Sequence, residues 1–195
     1  MIIGITGGTG CGKTTALNAV KALGGLVLDC DAIYHQLLET APDLLAAISA
    51  RFPGTVTAGT LDRKALGSIV FSDQNALLDL NRITHGAIKQ EVLRQLEAAP
   101  TLAAIDAIEL FDSGLAELCQ LTVAVVAPLK DRITRLTQRD SITPAQATAR
   151  INAQHSEIYF REKCDFVLEN TGTQAEFHAK CLAFLESLGI MKENP

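Results

Sequence analysis

The residues Gly7-Gly8-Thr9-Gly10-Cys11-Gly12-Lys13-Thr14 fit the pattern G-x-x-x-x-G-K-[ST] at every fixed position. Each residue type has a reason if the ligand is a polyphosphate. Glycines such as Gly8, Gly10 and Gly12 let the backbone curl until successive N–H groups converge on an anion. A helix opening at the end of the loop adds unsatisfied donors and the positive end of its dipole. Lys13 can reach β- and γ-phosphates, and the Thr14 hydroxyl is a hard oxygen suited to Mg²⁺. Thr15 can donate to the α-phosphate. Cys11 reads either as a thiol activated by the helix N-terminus or as a small filler where the backbone does the binding, and the filler reading is favoured.

A nucleoside triphosphate cradle does not name a reaction. GTPases also carry D-x-x-G and N-K-x-D, and neither pattern occurs in the chain. ATP-driven motors usually end a strand in Asp-Glu; here the run ends Ile105-Asp106-Ala107, with Asp106 as the only acid. Small-metabolite kinases remain. They need an acid near the acceptor hydroxyl and an arginine-bearing lid that excludes water. Asp29-Cys30-Asp31 follows an apolar run at a strand's C-terminal end, where ligands of open α/β sheets sit. If the chain stays extended there, Asp29 and Asp31 point to one side, and one of them orients the acceptor hydroxyl and takes its proton late. Asp31 can equally cap the helix AIYHQLL. Arg132, Arg135 and Arg139, spaced three and four apart, share one helix face, which reads either as a lid or as a solvated surface.

The elements that must position these groups are legible. MIIGIT is a short apolar run stopped by glycines, and LVLD (26–29) is a second; both read as buried parallel strands. Between them KTTALNAVKAL carries Leu17, Val20 and Leu23 on one helix face, so the opening is a βαβ unit. Residues 32–99 show helical patterns and no convincing strand. Asp62 caps one helix, and another covers Thr84 to Ala98 with Ile88, Val92, Leu93 and Leu96 as its stripe. This passage suggests an inserted lobe. Strands return at 102–108 and 121–126, the latter stopped by Pro128, and the arginine helix follows. Thr143-Pro144-Ala145-Gln146 opens a further helix with a capping box. Asp165 to Glu169 reads as the last strand. Thr173 with Glu176 opens a final helix turning Phe177, Cys181, Phe184, Leu185 and Leu188 inward. The tail MKENP is expected to fray.

The 195 residues (20.8 kDa) suffice for one domain with inserted lobes and a core that needs neither disulfide nor metal to fold. A net charge of -5 disfavours a generic nucleic-acid partner. No run approaches the ~20 apolar residues that span a bilayer, and MIIGITGG lacks the cationic start of an export signal. Five cysteines without a C-x-x-C pair, and four scattered histidines, disfavour a disulfide framework or a zinc site. The expectation is a reduced, cytoplasmic protein, with no oligomeric state specified.

The ordered series of motifs resembles the dephospho-coenzyme A kinase family from residue 1 to about 185. TGGTGCGKTT and LVLDCDAIYHQLL are similar to that family's T-G-G-x-G-[SC]-G-K-[ST] and D-A-D-x-x-x-[HR]. Further matches are Gly59 to Arg63 with Ile69-Val70-Phe71, Ile83-Thr84-His85, and Asp112 to Leu115. Arg139, Arg150-Ile151, Gln154 and Asn170 continue the series. Two segments depart: Asp106 to Asp112 lacks the family's proline, leaving Ile108 and Glu109 in its place, and His85-Gly86 stands for His-Pro. Glu109 either supports magnesium from outside its ligand shell or faces solvent. The resemblance implies an α/β P-loop kinase fold: a five-stranded parallel sheet flanked by helices, with core segments 1–31, 100–128 and 162–190. It implies a helical acceptor-binding insert at about 32–99 and a small helical lid at about 129–161. The implied reaction moves a phosphoryl group from ATP, with Mg²⁺, to the ribose 3′-hydroxyl of dephospho-coenzyme A, the last step of coenzyme A biosynthesis. Lys13, Asp31 and Arg139 would be catalytic. Gly8, Gly10, Cys11, Gly12, Lys13, Thr14, Thr15 and Arg139 would bind ATP, Asp31, His85 and Asp106 the acceptor, and Thr14 the metal. The sequence also admits a kinase for another small acceptor, or a nucleotide-binding regulator without catalysis. The latter would be free to lose Asp31, which is present.

Overall fold

The computed structural model describes residues 1–99 and 101–191; residues 192–195 of the MKENP tail lie outside them. In chain order the elements are β1 (Ile2–Thr6), α1 (Lys13–Ala22), β2 (Leu26–Asp29), α2 (Cys30–Thr40), α3 (Pro42–Arg51), β3 (Val56–Thr57), β4 (Thr60–Leu61), α4 (Arg63–Val70) and α5 (Gln74–Glu97). There follow β5 (Ala103–Asp106), a 3₁₀ turn (Leu115–Leu118), β6 (Leu121–Val126), α6 (Leu129–Asp140), α7 (Pro144–Asn152), α8 (Glu157–Lys163), β7 (Phe166–Glu169) and α9 (Gln174–Ser187). Two compact units result: residues 1–28, 99–110 and 115–195, and residues 29–98 with 111–114.

The first unit is built on a five-stranded parallel sheet in the order β2-β5-β1-β6-β7, the sheet expected from the sequence. The apolar run of β1 sits at the centre, paired with β5 on one side and β6 on the other. Alternation along β6 divides the core. Val123 and Val125 join Ile3, Ile5 and Leu168 under α1 and α9, against Ala16, Val20, Phe177, Cys181 and Leu185. Ala124 and Val126 face the other way, onto Phe160 of α8. Each fully buried side chain of this size contributes roughly 1.5–3 kcal/mol, so both faces of the sheet are closed by apolar packing. Both predicted capping boxes are present: Thr143 with Gln146, and Thr173 with Glu176. Asp165 brackets the start of the last strand pair, accepting from the Thr122 amide at 2.7 Å and its hydroxyl at 2.8 Å.

The second unit is mostly helical. Ile48 and Phe52 are fully buried among Leu38, Leu44, Leu45, Leu66, Val70 and Ala76. Asp62 caps α4 as expected, accepting from the amides of Lys64 and Ala65. Three expectations are corrected here. The passage does contain strand, the two-residue β3 and β4, paired antiparallel around Ala58 and Gly59, both at positive φ. The helix expected from Thr84 begins ten residues earlier, at Gln74, with Asp73 as its cap. On that helix Val92 is buried while Leu93 is 43% exposed, so Leu93 lies off the stripe.

Candidate active site

The loop between β1 and α1 is shaped from below by the sheet and from the side by α6. Gly12 is the cap of α1 at φ 99°, a left-handed conformation that costs L side chains. A Cβ on Gly8 would stand 2.3 Å from Nη2 of Arg132, so only glycine leaves room for that guanidinium. Lys13 folds back across the loop, its ammonium donating to the Gly7 carbonyl at 2.9 Å. Thr15 is buried and Thr14 exposed at the first turn of α1. Asp106 ends β5 opposite Ile5, two residues before Gly7, so its carboxylate terminates the strand next to the loop's own.

Four side chains from distant parts of the chain bind the loop's backbone. The Arg132 Nε–H donates to the Thr9 carbonyl at 2.9 Å. Arg135 Nη1 donates to the Gly10 carbonyl at 3.1 Å and more weakly to that of Cys11 at 3.4 Å. Asn170, just past β7, donates through Nδ2 to the Cys11 carbonyl at 2.9 Å. Gln154, after α7, accepts from the Thr9 amide at 2.7 Å. Arg132 and Asn170 are buried, and Arg132 Nη2 and Asn170 Oδ1 have no partner among the described residues. The spacing of Arg132 and Arg135 marks a shared helix face and says nothing of the loop, and Asn170 and Gln154 stand out only through the family resemblance. No spacing rule joins residues more than a hundred positions apart.

The three arginines of α6 therefore divide. Arg132 and Arg135 hold the loop, whereas Arg139 forks onto the neighbouring Asp140 at 2.7 and 3.0 Å. Arg150 of α7 reaches the same carboxylate at 2.8 Å. Hydrogen bonding from Arg139 holds the Asp140 carboxyl below the usual carboxylate range and raises Arg139 in turn.

In the second unit the chain does not stay extended after β2. The helix α2 begins at Cys30, and Asp29 is its cap, accepting from the Ala32 amide at 3.0 Å. Neither expectation for this segment holds: Asp29 and Asp31 do not share one side of a strand, and Asp31 is not the cap. Asp31 stands exposed in the first turn, where a carboxylate meets the positive end of the helix dipole. His85 lies half-buried in the middle of α5, which packs against α2.

Cys11 is the filler that the sequence favoured. It is buried, and burial pushes its thiol up despite the opposing charges of Arg132 and Lys13. None of the five cysteines forms a disulfide. Among the described residues no group of three or more His, Cys, Asp or Glu side chains could cage a metal, and no helix is long and apolar enough to cross a membrane.

Residues 1–176 match the family model described as dephospho-CoA kinase. A dephospho-CoA kinase of Thermobifida fusca is 35% identical over 191 residues, covering 95% of each chain. Among solved structures, one from Thermus thermophilus superimposes with a TM-score of 0.81 at 33% identity, covering 96% of this chain and 97% of that one. The dephospho-CoA kinase of Campylobacter jejuni gives 0.67 at 27% identity, covering 96% of both.

Proposed function

The chain belongs to the dephospho-CoA kinase family, and from that premise we propose that it transfers the γ-phosphoryl group of ATP to the ribose 3′-hydroxyl of dephospho-coenzyme A, giving coenzyme A and ADP. The observation that carries the reading is the Gly7–Thr14 loop, held between a buried strand and a helix N-terminus with Lys13 across its mouth. Loop amides and the α1 dipole bind the β- and γ-phosphates. Lys13 leaves the Gly7 carbonyl for the phosphate oxygens and stabilises the charge that spreads over them in transfer. The 3′-oxygen bonds to phosphorus as the bridge to the β-phosphate breaks. The hydroxyl proton passes to Asp31, and ADP departs with the electron pair.

Asp31, His85 and Asp106 are assigned as contacts of the acceptor. Residues of about 129–161 form the lid, with Arg139 exchanging Asp140 for ATP. The residue that would hold Mg²⁺ is Thr14, whose exposed hydroxyl is a hard oxygen donor. Bound there, Mg²⁺ would neutralise phosphate charge during transfer. A cytoplasmic setting is supported by the cysteine pattern, five residues with no C-x-x-C pair.

The test is incubation of the purified protein with Mg-ATP and dephospho-coenzyme A. Formation of ADP together with a product one phosphate heavier is expected; ADP without that product refutes the acceptor. A narrower test concerns Arg139→Lys. A point charge cannot reproduce a two-pronged contact, so turnover should fall about tenfold, roughly one charge-assisted hydrogen bond. Wild-type kinetics in that variant return Arg139 to a solvated face.

A further inference from the structure

The bonds to the loop's carbonyls have a directional result. In a trans peptide the C=O of one residue and the N–H of the next point to opposite sides, and no peptide in the described chain is cis. Arg132 holds the carbonyl of Thr9, Arg135 chiefly that of Gly10, and Asn170 that of Cys11. The peptides so fixed are the ones whose N–H groups belong to Gly10, Cys11 and Gly12. The Cys11 N–H is taken up within the loop, donating to the Gly8 carbonyl at 3.3 Å, so the Gly10 and Gly12 N–H groups are the ones turned away from α6 and from Asn170 toward an anion. Two of the three holders are cationic, and hydrogen bonds from a charged donor are about twice as strong as neutral ones. A guanidinium on a carbonyl oxygen also polarises that peptide, which makes its N–H a better donor to an anion.

We propose that Arg132, Arg135 and Asn170 are positioning residues that set the direction and strength of the Gly10 and Gly12 amides and lock the Cys11 N–H into its bond across the loop, so that the loop is preformed for polyphosphate before nucleotide arrives. The clamp acts through the backbone and needs no contact between these side chains and the phosphates. It rests on the reading of the loop as a phosphate cradle and adds what makes the cradle rigid. Arg139, which pairs with Asp140 and not with the loop, has no part in it.

The test uses the whole protein without nucleotide, labelled for amide NMR, followed by titration with ADP. The nitrogen shift of an amide responds to a hydrogen bond on the preceding carbonyl. Arg135→Ala should therefore move the Cys11 and Gly12 resonances, and Asn170→Ala that of Gly12, with the rest of the spectrum near wild type. The ADP Kd of Arg135→Ala should rise about tenfold, as loss of one charge-assisted bond implies, and Arg135→Lys should recover most of both effects. Arg132 is buried, so Arg132→Met, which fills similar space without a donor, is the variant of choice there, moving Gly10 alone. Unmoved loop amides overturn the clamp, as do moved amides with unchanged ADP affinity, or shifts scattered through the whole protein. Wild-type protein that fails to bind ADP instead removes the underlying reading of the loop, a result distinguishable from any of these.

Discussion

Lys13→Ala should lower kcat by about 10²- to 10³-fold while leaving the melting temperature near that of the wild type. The size follows from the removal of one preorganised charge aimed at the transferring group, which is typically worth roughly 3–4 kcal/mol. The stability expectation follows from the side chain's surroundings. Among the described residues its ammonium donates to the Gly7 carbonyl at 2.9 Å, at the mouth of the loop and outside the apolar core. That carbonyl gains water when the ammonium is gone, so little folding energy is lost. ATP affinity should weaken less than turnover, because the amides and the helix dipole still hold the phosphates in the ground state. Steady-state rates with both substrates, beside a thermal melt, make the measurement; turnover within threefold of wild type would remove Lys13 from the transfer step.

Asp31→Asn is the second large effect. The amide has the volume of the carboxylate but cannot accept a proton at neutral pH. The residue is exposed in the first turn of α2, and Asp29 supplies the cap, so the helix survives the change. Positioned proton acceptors typically contribute about 10²- to 10⁴-fold. Transfer through a loose transition state, in which the proton leaves late, puts the expected loss toward the lower end, about 10²-fold. Binding of ATP alone should be untouched. The informative pair is a nucleotide titration and a turnover assay on the same preparation: intact affinity with lost turnover supports the assignment, and preserved turnover ends it.

What was legible in the sequence was what local rules govern. The loop motif, strands β1, β2 and β6, the Asp62 cap and both capping boxes appear as patterns of a few residues, and the structure returns them nearly unshifted. Hairpin β3–β4 was invisible because two-residue strands carry no period, and Ala58 is not a residue that marks a left-handed turn. The first half of α5 packs through Ala76, Leu80, Ile83 and Ala87, a proper helical stripe. Two of its members are alanines, and Leu78 beside it is 53% exposed, which blurred the signal. At Asp29 a helix cap took over where extended chain was expected, because the carboxylate finds the Ala32 amide. The holders of the loop form a different class of omission. Arg132, Arg135, Gln154 and Asn170 meet residues 9–11 only through the sheet topology, which brings α6 and the end of β7 to the strand edge where β1 finishes.

The buried sulfur of Cys11 has a consequence for the cell chemistry around this protein. Peroxide and electrophilic metabolites attack cysteine as the thiolate, and susceptibility follows access. A protonated, covered sulfur beneath the loop offers neither. Oxidants should therefore spare the thiol that underlies the loop.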